Sequence, residues 1–357
     1  MKFLIHVLPI LTLVLADHSL DNFIKSNDLF TSSIYKKISK NENYADKNLL
    51  VSTKGATAQE IDALLHLPDN IFKTVLTKLK NNETYTLQIA NKLYINKKNI
   101  VVKDELKNLV YFSDVETIDF AGNVDAAETI NRWVEAQTRN RIRDLVKPDD
   151  LSKRTRLVSI NAFYFKDSWA RPFFTDLTTK MDFYVTSKDI HKVETMRSRY
   201  GDDFMFYECP HLKANSANDK EGLGPLESQI DRVLAPHNLT YETVLVAVPK
   251  FKIESRIDFV ELLKQMGVHK AFNEGEADFS GITGVKGDLI MDKIVQKGFI
   301  DVNEGGVEAA ASTFISCPIP PSAIPEPKEF KADHPFMYYI RVKVVVVFVG
   351  RVLRPKL

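Results

Sequence analysis

The residues whose types and spacing invite a special chemistry lie in one stretch. It runs Glu304-Gly305-Gly306-Val307-Glu308-Ala309-Ala310-Ala311-Ser312-Thr313-Phe314-Ile315-Ser316-Cys317 and continues through Pro318, Pro320, Pro321, Pro325 and Pro327. The chemistry it offers is conformational. Two adjacent glycines accept almost any backbone angle, while the prolines exclude both helix and central strand. The stretch therefore reads as a loop that begins on a hinge. With a period of two, Val307, Ala309, Ala311, Thr313, Ile315 and Cys317 share one side, and Glu308, Ala310, Ser312, Phe314 and Ser316 share the other. The first side is small or apolar enough to lie in a packed sheet, so the same residues can live as loop or as strand. An alanine-rich helical turn is the competing reading. Alanine propensity supports it, but it leaves the glycine pair and the proline run unexplained.

Conventional catalysis is not suggested. No glycine-rich phosphate loop follows a strand, no His or Cys residues have metal-ligand spacing, and no nucleophile elbow frames a serine. Glu274, Glu276 and Asp278 form an acidic group that reads as a solvated turn. With 48 Lys and Arg against 47 Asp and Glu, and no basic stripe interleaved with aromatics, the footprint of a nucleic-acid binder is missing. No metal and no cofactor is expected. The expected partner is another protein.

A chain of 357 residues with 44% hydrophobic content can bury a large core. Residues 1–16 carry Lys2, an apolar run and Val14-Leu15-Ala16, the pattern of a cleaved signal peptide, which leaves 17–357 as a single domain. The apolar run is too short to span a bilayer and Val342 to Val352 is interrupted by Lys343 and Gly350, so no membrane span is expected. Secretion to the extracellular space follows. Only Cys209 and Cys317 are present, which excludes a disulfide scaffold; they read as free thiols, with an intermolecular bridge through Cys317 as the alternative. Asn82-Glu83-Thr84 and Asn238-Leu239-Thr240 are glycosylation sequons, so Asn82 and Asn238 are candidate glycan sites.

The elements that must position the loop follow from periodicity. Leu20, Phe23, Ile24, Phe30, Ile34 and Ile38 mark an amphipathic helix over Asp17 to Lys40. Helices are also expected around Thr57–Leu65, Phe72–Leu79 and Lys103–Phe112, over Asn123–Leu145 with an Asp125 to Glu128 cap, over Pro225–Leu234, and over Phe259–Val268, closed by Gly267. Strands are expected over Asn48–Ser52, Thr86–Ile95, Val115–Phe120, Leu157–Trp169, Met196–Glu208, Val244–Val248, Pro249–Glu254 and Leu289–Asn303. His334–Val342 and Val345–Val349 complete the set as a buried hairpin. Alternating helix and strand patterns give a mixed class.

Several of these segments share more than periodicity with one family. The hinge Glu304 to Thr313, the segment Phe330-Lys331-Ala332-Asp333-His334-Pro335-Phe336, Ile130-Asn131-Arg132-Trp133-Val134-Glu135 and Leu157 to Trp169 together resemble the serpins, secreted arthropod-type inhibitors in particular. The resemblance runs from about Leu20 to Pro355. It implies an α+β serpin-like fold with a large mixed main sheet, a smaller second sheet that Met196 to Glu208 would start and that lacks a hairpin, surrounding helices and an exposed reactive-centre loop over about 304–329. Against the family pattern, a buried helix of about four turns after Ser52 and roughly one strand hairpin after Cys209 are missing.

What the resemblance implies for function is a bait. A target endopeptidase, of serine or cysteine type, cuts the loop and forms an acyl-enzyme. Insertion of the cut loop as a new strand then distorts the protease before water releases it. Such a chain is a protease inhibitor and not an enzyme, and it is expected to be a monomer. The hinge is Glu304 to Thr313, and Val307, where the family usually carries Thr or Ser, enters first. Asn161, Trp169 and Ser52 fall in the region of the sheet that must open. The bond Pro321-Ser322 is favoured for cleavage, with Pro320-Pro321, Ser322-Ala323 and Ser316-Cys317 as alternatives. No Lys or Arg lies between Glu304 and Pro327, so a trypsin-like target, whose pocket needs a cation, is a poor fit. An elastase-like or cysteine protease fits better. The competing function is a non-inhibitory binding or carrier protein, or a truncated splice form with impaired inhibition.

Overall fold

The computed structural model describes residues 2–5, 18–52, 85–98, 115–167, 169, 172–199, 202–208, 223–234, 240–305, 327–342 and 345–357. In chain order its strands are β1 Lys2–Ile5, β2 Leu49–Ser52, β3 Tyr85–Asn96, β4 Val115–Ile118, β5 Leu157–Asp167, β6 Thr179–Tyr184 and β7 Ile190–Arg197. They continue as β8 Asp202–Glu208, β9 Thr240–Pro249, β10 Phe251–Asp258, β11 Met291–Val302, β12 Lys328–Lys331, β13 Phe336–Val342 and β14 Val345–Val352. The α-helices are α1 His18–Lys40, α2 Asn123–Gln137, α3 Gly224–Ser228, α4 Ile230–Leu234, α5 Val260–Gln265 and α6 Ser280–Thr283. The helices expected around 57–65, 72–79 and 103–112 lie outside the described residues.

The centre is a five-stranded mixed sheet in the order β10-β11-β5-β3-β4. Its middle strand β5 is buried on both faces. Val158, Ile160 and Ala162 pack with Val295 under α2, which contributes Ala126, Ala127, Ile130 and Val134. On the opposite face Leu157 joins Ile34, Ile38 and Val349 in one core cluster, and Phe163 joins Phe348 and Ile300 in another. This double burial takes in every residue from Leu157 to Phe165, the polar Ser159 and Asn161 included. The ring of Phe163 stacks on Phe348 at 4.8 Å between centroids and lies directly over Gly298, where a Cβ would come within 2.0 Å of the ring. Only glycine leaves room there.

Two further sheets surround the first. The three-stranded sheet β13-β14-β2 contains the valine-rich hairpin expected from the sequence, and its last pairing places Ser52 opposite Phe348. The six-stranded sheet has the order β1-β8-β9-β7-β6, with β12 pairing β9. Two expectations change here. Met196 to Glu208 splits into the end of β7 and the separate strand β8, and β8 pairs with β9 and β1 and not within the small sheet. The segment expected as one helix from Pro225 breaks at Gln229 into α3 and α4.

A third expectation fails in α2, which stops at Gln137 and not at Leu145, and is preceded by Gly122 with no side-chain cap. Beyond it, Arg139, Asn140 and Asp144 all have positive φ, which no helix tolerates. Ile142, Leu145 and Val146 are nonetheless buried in the same cluster as α2. Their apolar spacing reflects burial of an irregular segment, stitched to the helix by Asn131, which donates to the Val146 carbonyl at 2.8 Å and accepts from the Val146 N–H at 2.9 Å.

Candidate functional site: the seam beside the hinge

The strand that leads to the hinge, β11, lies beside β5 and runs parallel to it. Parallel neighbours are normally joined by a crossover. A strand inserted between them and connected to β11 by a tight reversal would run antiparallel to both, with two complete ladders to form. Such a reversal would sit at the upper end of the seam between β5 and β11, where Glu304 and Gly305 follow Asn303.

That upper end is tied down. The Trp169 indole N–H donates to the Asn303 carbonyl at 2.7 Å, and the Phe173 N–H donates to the Glu304 carbonyl at 2.9 Å. The Trp169 and Phe173 rings meet edge to face at 5.4 Å. The Gly305 N–H turns back to the Asn303 side chain at 3.2 Å. Glu304 Oε1 accepts from the Thr178 hydroxyl at 2.8 Å and pairs with Lys250 at 3.2 Å, and that ammonium also reaches Glu194 at 3.3 Å. Only 13% of the Glu304 side chain is exposed. Burial pushes its carboxyl pKa up, but its own backbone N–H, Thr178 and Lys250 outweigh that and hold it below the ordinary value. For Lys250 burial pulls the pKa down, and the bonds to Glu304 and Glu194 bring it above the ordinary value. Each partner stabilises the other's charged form.

Halfway down the seam Asn161 faces Gln296 across the ladder and Asn91 on its other side. All three are buried. The Asn161 amide donates to Asn91 Oδ1 at 2.5 Å, while Asn161 Oδ1 and the nearby Ser159 hydroxyl have no hydrogen-bond partner among the described residues. A buried polar row of this kind favours one strand register over a slipped one.

Of the residues singled out in the sequence, Glu304, Gly305, Asn161 and Trp169 thus come together along one seam. Ser52 sits at the end of β2 in the neighbouring three-stranded sheet. The remaining hinge residues from Gly306, all the bond candidates from Ser316 to Ala323, and Asn82 and Asn238 lie outside the described residues. Sequence reading missed Lys250, Thr178, Glu194, Asn91 and Gln296. The one available signal was Lys250 itself, a charged residue wedged between the apolar ends of two strand patterns. Among the described residues no group of three His, Cys, Asp or Glu could hold a metal ion.

Comparison with known proteins gives a consistent picture. The family model described as "Serpin (serine protease inhibitor)" matches residues 25–355. Alaserpin of Manduca sexta is 32% identical over 371 aligned positions, covering 93% of each chain. Antichymotrypsin-2 of Bombyx mori is also 32% identical and is covered to 98%. Among solved structures, Serpin48 of the insect Tenebrio molitor superposes with a TM-score of 0.82 at 40% identity, over 95% of this chain and all of the other.

Proposed function

We propose, from the premise that this chain belongs to the serpin family, that it is a secreted suicide-substrate inhibitor of an elastase-like or cysteine endopeptidase. Protease inhibition, with a protease as partner, comes with the family. The mechanism starts when the protease nucleophile attacks a loop carbonyl, favoured at Pro321. A bond forms from the nucleophile to that carbon, the C–N bond to Ser322 breaks, and the new amine leaves with a proton. The loop then enters the seam before water can attack the acyl group.

The observation that carries this reading is the direct parallel pairing of β5 and β11 immediately below the hinge. Strand lengths support it. β11 has twelve residues ending at Val302. Reversing at Asn303–Gly306 would set Val307 opposite Val302, and the proline-free run of eleven residues from Val307 to Cys317 would end opposite Asp292. The prolines would fall at and beyond the last row, where ladder donors are no longer required.

Cutting the loop with a panel of elastase-like and cysteine proteases tests this. A large rise in Tm and a protease complex that survives denaturing electrophoresis are expected. Cleavage with no rise would overturn it in favour of a non-inhibitory binding protein, a reading favoured by the transfer of β8 out of the small sheet. Rapid inhibition of trypsin would overturn the specificity. Secretion rests on residues 1–16, whose removal takes away β1 and its pairing with β8. An N-terminus at Asp17 in the exported protein, which is expected to be monomeric and to carry glycans at Asn82 and Asn238, checks it.

A further inference from the structure

The geometry points to Asp292 as a positioning residue that straps the lower end of the β5–β11 seam shut in the uncut chain and must let go when a strand enters to full depth. The proposal rests on the loop-insertion reading above. The register of the β11–β5 ladder slips between Met291 and Lys293, because Met291 faces Leu157 and Lys293 already faces Val158. Asp292 is the residue left over, and its side chain does what its backbone cannot. Asp292 Oδ2 accepts from the Arg156 N–H at 2.6 Å and from the Leu157 N–H at 3.3 Å, both across the seam.

Arg156 adds a second tie in the same direction. Its guanidinium donates to the Gly287 carbonyl at 3.3 Å and forms an ion pair with Glu274, so residues on the chain leading into β11 are bound to the start of β5. The neighbouring Lys293 is engaged by Asp258 at 3.0 Å, on the β10 side of β11. Beside the backbone ladder, the cross-seam side-chain bonds at this end among the described residues run through Asp292 or Arg156. On the other side β3 is held to the same residue, the Asn96 N–H donating to the Arg156 carbonyl at 2.9 Å.

The strap is incompatible with a filled seam. Strands that share a middle neighbour lie about 9.5 Å apart, out of reach of a carboxylate that now touches two amides. A new strand spanning Val302 to Asp292 would take over the Leu157 amide in its own ladder and part Asp292 from both amides. A strand that stopped at the Asn161 row would leave Asp292 in place. Asp292 thus belongs to the uncut form alone and reports the depth of insertion.

The test compares Asp292→Ala and Asp292→Asn with the parent chain, uncut and loop-cut, by Tm and by amide exchange at Arg156 and Leu157. For Asp292→Ala we expect the uncut Tm to fall by about 5 °C, the cut Tm to stay put, and those two amides to exchange at least about tenfold faster in the uncut form. Asp292→Asn keeps an acceptor oxygen and should recover about half of each effect. Equal drops in Tm for cut and uncut chains would overturn the proposal, since a merely structural residue serves both forms. A parent chain whose Tm does not rise on cutting would sink loop insertion instead. The exchange data then decide the strap alone: acceleration at Arg156 and Leu157 upholds it and unchanged rates overturn it.

Discussion

The two ends of the β5–β11 seam are closed by different means. At the upper end the ties come from outside the sheet: Trp169, Phe173, Thr178 and Lys250 all converge on Asn303 and Glu304. At the lower end the tie is internal, a bulged residue of β11 reaching the first amides of β5. The upper closure is a network of single bonds that can loosen one at a time as the hinge moves. The lower closure centres on one carboxylate that holds two amides at once, with the Arg156 guanidinium as a second tie. A strand entering from the hinge meets the network first and the carboxylate last.

The strongest way to break the comparison is to act between the ends. Gly298→Val places methyl groups where a Cβ would already come within 2.0 Å of the Phe163 ring. It should destabilise the chain by about 3 kcal/mol or more, read by urea unfolding, and should speed amide exchange at both ends together. If only one end responds, the ends are not coupled through the sheet. Pairing the change with Phe163→Leu should recover part of the loss.

A smaller and one-sided effect is expected from Lys250→Met, which leaves Glu304 buried without its cation. The Lys250 side chain is 21% exposed, so a loss of about 1–2 kcal/mol is expected and not the full penalty of a buried orphan charge. Proteolytic sensitivity at Gly305 should rise while exchange at Arg156 and Leu157 stays unchanged. Trp169→Phe should remove only the indole bond to Asn303, about 1 kcal/mol, because the aromatic contact with Phe173 is kept. Differential unfolding of the two variants orders the strands of the upper network.

These residues also mark how far the sequence could be read. Glu304 and Gly305 stood out because a glycine pair between a strand pattern and a proline run has few other uses. The last strand of the terminal hairpin was legible because burial on two faces writes a continuous apolar run, and β5 because Val158, Ile160 and Ala162 alternate with polar neighbours. Asn161 and Trp169 came from family resemblance and not from any local signal. Lys250 and Thr178 were not legible because their common partner is remote in sequence, Thr178 standing 126 residues from Glu304. Asp292 was invisible for a different reason. A bulge is a property of pairing between two strands, and β11 read alone shows no register to slip. The overlong α2 is the reverse error, since Ile142, Leu145 and Val146 keep a helical spacing while the backbone between them turns left-handed.

Acid sharpens the contrast with the smallest change of all, a proton. Glu304 has its folded-state pKa below the ordinary value, despite burial, because its own N–H, Thr178 and Lys250 favour the carboxylate. Its contribution is therefore complete above the unfolded-state pKa and is lost as pH falls through the folded value. Asp292 has the opposite sign. Burial raises its pKa, and the Arg156 and Leu157 amides with the charges of Arg156 and Lys293 only partly offset this. Between the unfolded and folded values the native form holds the extra proton, so stability from this site falls as pH rises and recovers on acidification. Acidification should thus reduce protection of the Phe173 amide, which bonds to the Glu304 backbone carbonyl, only once pH falls below the ordinary carboxylate range and through the depressed pKa of Glu304. Asp292, with its raised pKa, takes up its proton at higher pH and changes protection at Arg156 and Leu157 sooner. Glu304→Gln should flatten the first response and leave the second alone. Loss of protection at both ends at one common pH would mean that global unfolding, and not the separate chemistry of the two closures, governs the seam.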